Sequence, residues 1–104
     1  MIRTVLRLDI LPGHADHLVE AFRGAEILET SFAQDGCLST EIAIAEDGLE
    51  AIVTATWDDV DAYARWTSRT DRGSSAELLN PHLREPLDAS RVGLVYDVAH
   101  RPSA

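Results

Sequence analysis

Three of the chain's six aromatic residues, Trp57, Tyr63 and Trp66, fall within ten positions. A helical step of three sets Tyr63 and Trp66 about 60° apart on one broad face, above the point where Trp57 leaves a strand. Aromatic faces stack on flat rings, while a phenol hydroxyl and two indole N–H groups fix orientation. The trio therefore suits a flat, partly oxygenated ligand. The same spacing also describes an ordinary aromatic core, and both readings stand at this point.

The histidines offer less. His14 and His17 are three apart at the start of a helix, a spacing that can hold a metal, but no third ligand is evident and a solvated face accounts for both. His82 follows Pro81 and is either a base or a surface residue. Cys37 is the only cysteine; it has no disulfide partner and no Cys/His cluster beside it, and reads as a small buried thiol. G-x-S-x-G, P-loop and G-x-G-x-x-G patterns are absent, and Asp58-Asp59 reads as a helix cap rather than a catalytic pair. No metal and no cofactor is expected.

The elements that must position these groups follow from periodicity. Ile2 to Leu11 alternates, with Ile2, Leu6, Leu8 and Ile10 on one face, and predicts a half-buried strand. After Pro12-Gly13, Leu18, Phe22, Ala25, Leu28 and Phe32 recur at helical steps and predict one amphipathic helix of about 18 residues. Leu38 to Ala45 alternates as a second strand. Asp47-Gly48 signals a two-residue hairpin into a third strand, Leu49 to Trp57. Asp58 is the expected N-cap of a helix over Asp58 to Arg69, answered by Asp61. Ser74 and Glu77 signal another start, which Pro81 and Pro86 break into a short helix carrying Leu79, Leu83 and Leu87. Val92 to Val98 is the last strand, and His100 to Ala104 a polar tail.

The order β-α-β-β-α-β is the split β-α-β pattern. The expectation is an α+β, ferredoxin-like fold: one four-stranded antiparallel sheet with helices on one face, forming one domain over residues 1–104. The other face would mix Val5, Ala43, Ala45 and Val95 with Arg3, Arg7, Glu41 and Asp97, and a second copy could cover it.

Nine Arg and no Lys face eighteen Asp plus Glu, a formal charge of -9. Such a chain repels nucleic acid and anionic membranes, and no apolar run approaches the roughly 20 residues of a spanning helix. The N-terminal segment alternates and so lacks the apolar run of a signal peptide, making the cytoplasm the expected location.

Leu11-Pro12-Gly13, Asp35-Gly36-Cys37 and above all Thr56-Trp57-Asp58-Asp59-Val60-Asp61-Ala62-Tyr63 with Trp66 resemble the antibiotic biosynthesis monooxygenase family. The resemblance covers nearly the whole chain and implies a homodimer whose two sheets form a joint β-barrel, with a pocket between helices and sheet in each subunit. Ser75-Ala76-Glu77-Leu78 looks further like the branch that oxidises anthrone-like phenols of aromatic polyketide pathways to quinones without metal or flavin. Trp57 and Tyr63 match that branch's pocket residues. Val53 stands where it has Asn, and Leu79 where it has Arg. The haem-degrading branch matches only at Trp66: Leu6 replaces its strand Asn, and its His, expected near Ala76, is missing.

On that resemblance the partners are a small aromatic substrate, dioxygen and a second copy. Trp57 and Tyr63 would hydrogen-bond a developing oxyanion, Trp66 would stack on the rings, Val53 and Leu79 would contact substrate, and His82 would be the base. An electron-rich phenolate or enolate can itself pass an electron to dioxygen, so the protein needs to supply only deprotonation, orientation and a dry pocket. The alternative is a non-oxidative ligand-binding dimer, either a cyclase or isomerase relative or a small-molecule carrier.

Overall fold

The computed structural model describes residues 1–69, 76–87 and 93–102. Four strands, β1 (Ile2–Asp9), β2 (Cys37–Ile44), β3 (Glu50–Trp57) and β4 (Leu94–Asp97), form one sheet in the order β2-β3-β1-β4, every neighbouring pair antiparallel. The fold is ferredoxin-like α+β. Long central strands follow from the β-branched and alternating residues of β1 and β3, which pair along their full eight residues from Ile2 opposite Trp57 to Asp9 opposite Glu50. The Ile44 to Glu50 connection is a wider loop than a two-residue hairpin. Ala45 N–H bonds the Glu50 carbonyl at 2.8 Å and Gly48 takes a φ of 74°, with the Asp47 carboxylate accepting Leu49 N–H at 2.9 Å.

The expected single helix is two: α1 (Ala15–Gly24) and α2 (Ile27–Phe32). Gly24 is a weak helix former, and Glu26 takes the left-handed φ of 52° that turns the chain between them. The break re-aims the second half. Leu18 and Phe22 stay in the core, but Phe32, placed by the 3.6 period on the apolar stripe, is 55% exposed, and Ser31 is buried in its place.

Helix α3 (Val60–Thr67) is capped by Asp59, whose Oδ1 accepts Ala62 N–H at 2.9 Å, and not by Asp58. Asp58 is committed one step earlier, its N–H bonding the Gly36 carbonyl at 2.8 Å. Helix α4 (Ala76–Leu79) runs into a 3-10 turn over Asn80–His82, with Pro81 near its start. Ser74, Ser75 and Val92 lie outside the described residues. The Asn80 side chain bonds both backbone polar groups of Leu87, at 2.7 and 3.3 Å, and fixes the exit from this turn.

Two apolar clusters hold the layers together. Leu8, Ile10, Leu18, Phe22, Ala51, Leu79 and Leu83 form the larger one under α1 and α4, and Ile2, Trp57, Ala62 and Tyr63 the smaller one under α3. The β4 register corrects the expected open face. Leu94 is opposite Val5 and Tyr96 opposite Arg3, so these two point away from the helices, while Val95 and Asp97 pair with Thr4 and Ile2 on the helix side. No helix among the described residues is long and apolar enough to cross a membrane.

Candidate active site

Between the two clusters the sheet and helices leave a cavity of about 70 Å³. Leu6, Val53 and Trp57 line it from the central strands, Leu28 and Ser31 from α2, Thr40 from β2, and Tyr63 and Trp66 from α3, with Gly93 closing one side. The break between α1 and α2 is what brings Leu28 and Ser31 here.

Trp57 is 1% exposed, and its indole N–H is buried without a hydrogen-bond partner among the described residues. An unpaired buried donor costs about 1–3 kcal/mol, and natural sequences keep such a group chiefly where something else accepts the bond. Its ring lies 5.6 Å from that of Tyr63, tilted by 55°. The Tyr63 oxygen accepts the Gly93 N–H at 2.8 Å. A phenol oxygen that accepts still has its own hydrogen to donate, so two donors stand on adjacent rings among the lining residues. On the other side, Ser31 and Thr40 both donate to the Leu28 carbonyl, at 2.9 and 3.2 Å, which leaves their oxygen lone pairs as acceptors. Half-buried Trp66 carries the Arg69 guanidinium 5.6 Å from its ring centre, a cation–π contact.

Of the residues singled out from sequence, Trp57, Tyr63, Trp66 and Val53 therefore meet at one cavity. Leu79 and His82 do not line it. Leu79 is 4% exposed in the larger core cluster, because the break at Pro81 turns α4 onto α1. His82 faces His14 and His17 in a separate cleft. The described lining residues include no carboxylate and no imidazole. Ser31, Thr40 and Gly93 escaped the sequence reading. A serine on an otherwise apolar helical stripe is a signal for the first; Gly93 and Thr40 join only through the sheet register. Cys37 is half-buried beside the smaller cluster, and burial pushes its thiol pKa up, with a backbone hydrogen bond from Ser39 acting in the opposite direction.

The family model for antibiotic biosynthesis monooxygenase matches residues 1–77. No curated protein sequence matches the chain. Among solved structures, a candidate antibiotic biosynthesis monooxygenase from Nitrosomonas europaea superposes with a TM-score of 0.75 at 16% identity, over 96% of this chain and 100% of that one. SnoaB, a cofactor-independent oxygenase from Streptomyces nogalater, gives 0.74 at 17% identity, over 96% and 94% of the two chains. Likeness at these identities is a likeness of fold.

Proposed function

Because the chain belongs to the antibiotic biosynthesis monooxygenase family, we propose that it is a cofactor-independent monooxygenase that converts an anthrone-like or phenolic polycycle to a quinone. The observation that carries this is the buried Trp57 N–H, without a partner among the described residues, beside the Tyr63 hydroxyl. Both donors suit the oxyanion that forms when such a substrate loses a proton. With no carboxylate or imidazole among the described lining residues, the proton leaves to solvent, and the two donors favour the substrate's anion.

The enolate then passes one electron to dioxygen. The radical pair joins as a carbon-bound peroxide anion, which takes a proton back from solvent, and loss of water leaves a carbonyl. One oxygen atom goes to the quinone and one to water, and the ring methylene supplies all four electrons. The apolar walls from Leu6, Leu28 and Val53 keep water from diverting the radical pair. A cavity of about 70 Å³ is below the roughly 300–1,000 Å³ of drug-sized sites, so a fused-ring ligand enters by displacing lining side chains. The open sheet face would be covered by a second copy.

Oxygen uptake with 1,8-dihydroxyanthrone tests the proposal: one dioxygen consumed per quinone formed, well above the spontaneous rate, is expected. Saturable binding with no added uptake would instead establish the non-oxidative reading, which the lack of a carboxylate or imidazole among the described lining residues favours.

A further inference from the structure

Outside the cavity, three of the chain's four histidines meet. Leu11 ties their backbones together: its N–H donates to the His82 carbonyl at 3.0 Å, and its carbonyl accepts His14 N–H at 3.0 Å. The His14 and His82 Nδ1 atoms face each other 3.1 Å apart. Ring centres stand 5.4 Å apart for His14 and His82, 5.7 Å for His14 and His17, and 5.8 Å for His17 and His82. Three imidazoles around a tetrahedral ion with metal–nitrogen bonds of about 2.05 Å would have centres about 5.2 Å apart and nitrogens about 3.3 Å apart. The triangle of rings is thus close to what such an ion requires.

We propose that His14, His17 and His82 form a binding site for one divalent transition-metal ion of the zinc or nickel class, with water as the fourth ligand. Two imidazole nitrogens facing at this distance hold a single cation between them, and an ion takes the place of the proton in their N–H···N bond. Among the described residues no three such groups are already arranged to hold an ion. His17 lies nearly parallel to His82, 17° between planes, stacked on that ring rather than meeting it edge-on. His17 is exposed, so its ring turns without disturbing the core. Imidazole donors select zinc, copper or nickel over magnesium and calcium. Glu20 lines the same cleft and adds negative potential while its carboxylate bonds Arg23 at 2.9 Å. The described lining residues of this cleft and of the cavity do not overlap, so the ion has no place in the oxygen chemistry.

The test is calorimetric titration of the full, tag-free chain, stripped with EDTA and exchanged into chelator-free buffer, with nickel chloride and then zinc chloride. At pH 7.5 one ion per chain should bind saturably. His82→Asn and His17→Asn should each weaken binding at least tenfold, and His100→Asn should leave it unchanged. Circular dichroism checks the fold of each variant, and exposed His17 keeps the test valid if His82→Asn unfolds. Absence of saturable binding, wild-type affinity in His17→Asn, or equal loss in His100→Asn would each overturn the proposal.

Discussion

The Tyr63 hydroxyl and the Gly93 backbone are joined: the phenol oxygen accepts the Gly93 N–H at 2.8 Å and so fastens helix α3 to the residue from which β4 starts. Glycine eases that approach, since a Cβ there would lie a tight 3.2 Å from the hydroxyl and 3.1 Å from the Val5 carbonyl. One side chain therefore holds an edge strand and lines the cavity at once.

Tyr63→Phe should consequently show two effects. Leaving the half-buried Gly93 N–H unpaired should lower stability by about 1 kcal/mol in urea denaturation. Turnover of a substrate that the parent oxidises should fall roughly a hundredfold, the loss of about 3 kcal/mol for one preorganised donor. Loss of stability without loss of rate would make Tyr63 a strand anchor alone.

Trp57→Phe separates the two roles more cleanly, because its N–H holds no partner among the described residues. A ring remains to pack and stack. Fluorescence titration should show ligand still bound, while the turnover number drops by a factor on the order of a hundred. Unchanged turnover would return Trp57 to the core.

The succession of strands and helices, the inward faces of β1 to β3 and the aromatic trio could be read from the chain because each rests on local periodicity. What escaped rests on long-range register. The alternation of β4 is visible, but which of its two faces turns outward depends on Leu94 meeting Val5, which no local pattern encodes. Likewise His14 and His17 show their spacing, whereas His82 reaches them only after Leu11 ties the turn to α1. The helix break at Ala25 and Glu26 was hidden because the 3.6 period continues through it.

Gly36 is a stringent point in the fold. Its φ is 85°, and a Cβ would sit 2.6 Å from the Ala62 Cβ. Because Asp58 N–H bonds the Gly36 carbonyl, displacing this loop also disturbs the start of α3. Gly36→Ala should cost about 2 kcal/mol or more, combining left-handed strain with the contact. Chemical denaturation measures it, and a midpoint equal to the parent's would refute the argument.

On the open face, Arg7 bonds both carboxylate oxygens of Glu50, at 3.1 and 2.7 Å, and the guanidinium holds the Glu50 carboxyl below its usual value. A depressed folded-state pKa adds stability that is present above the unfolded value and lost as pH falls through the folded one. The pair is exposed, so the effect is small and screened by salt. In an NMR titration, Arg7→Gln should move the Glu50 midpoint upward, and by less at high ionic strength. An unmoved midpoint would mean the contact is not kept in solution.

The same face carries the last expectation. Leu94 is 60% exposed and Tyr96 51%, and the register sets them beside Val5 and Arg3 in line with Ile52 opposite Arg7. Charges border this apolar strip, and Arg7 and Glu50 pair with each other there. Covering such a strip with its own copy removes apolar area from water at about 25 cal/mol per Å². Light scattering at micromolar concentration should therefore give twice the 11.4 kDa chain mass. Leu94→Asp with Tyr96→Asp places two carboxylates per chain where the copies meet, and should yield a folded monomer. A parent that already scatters as a monomer, or a double variant that stays dimeric, would show that a surface other than this sheet face governs assembly.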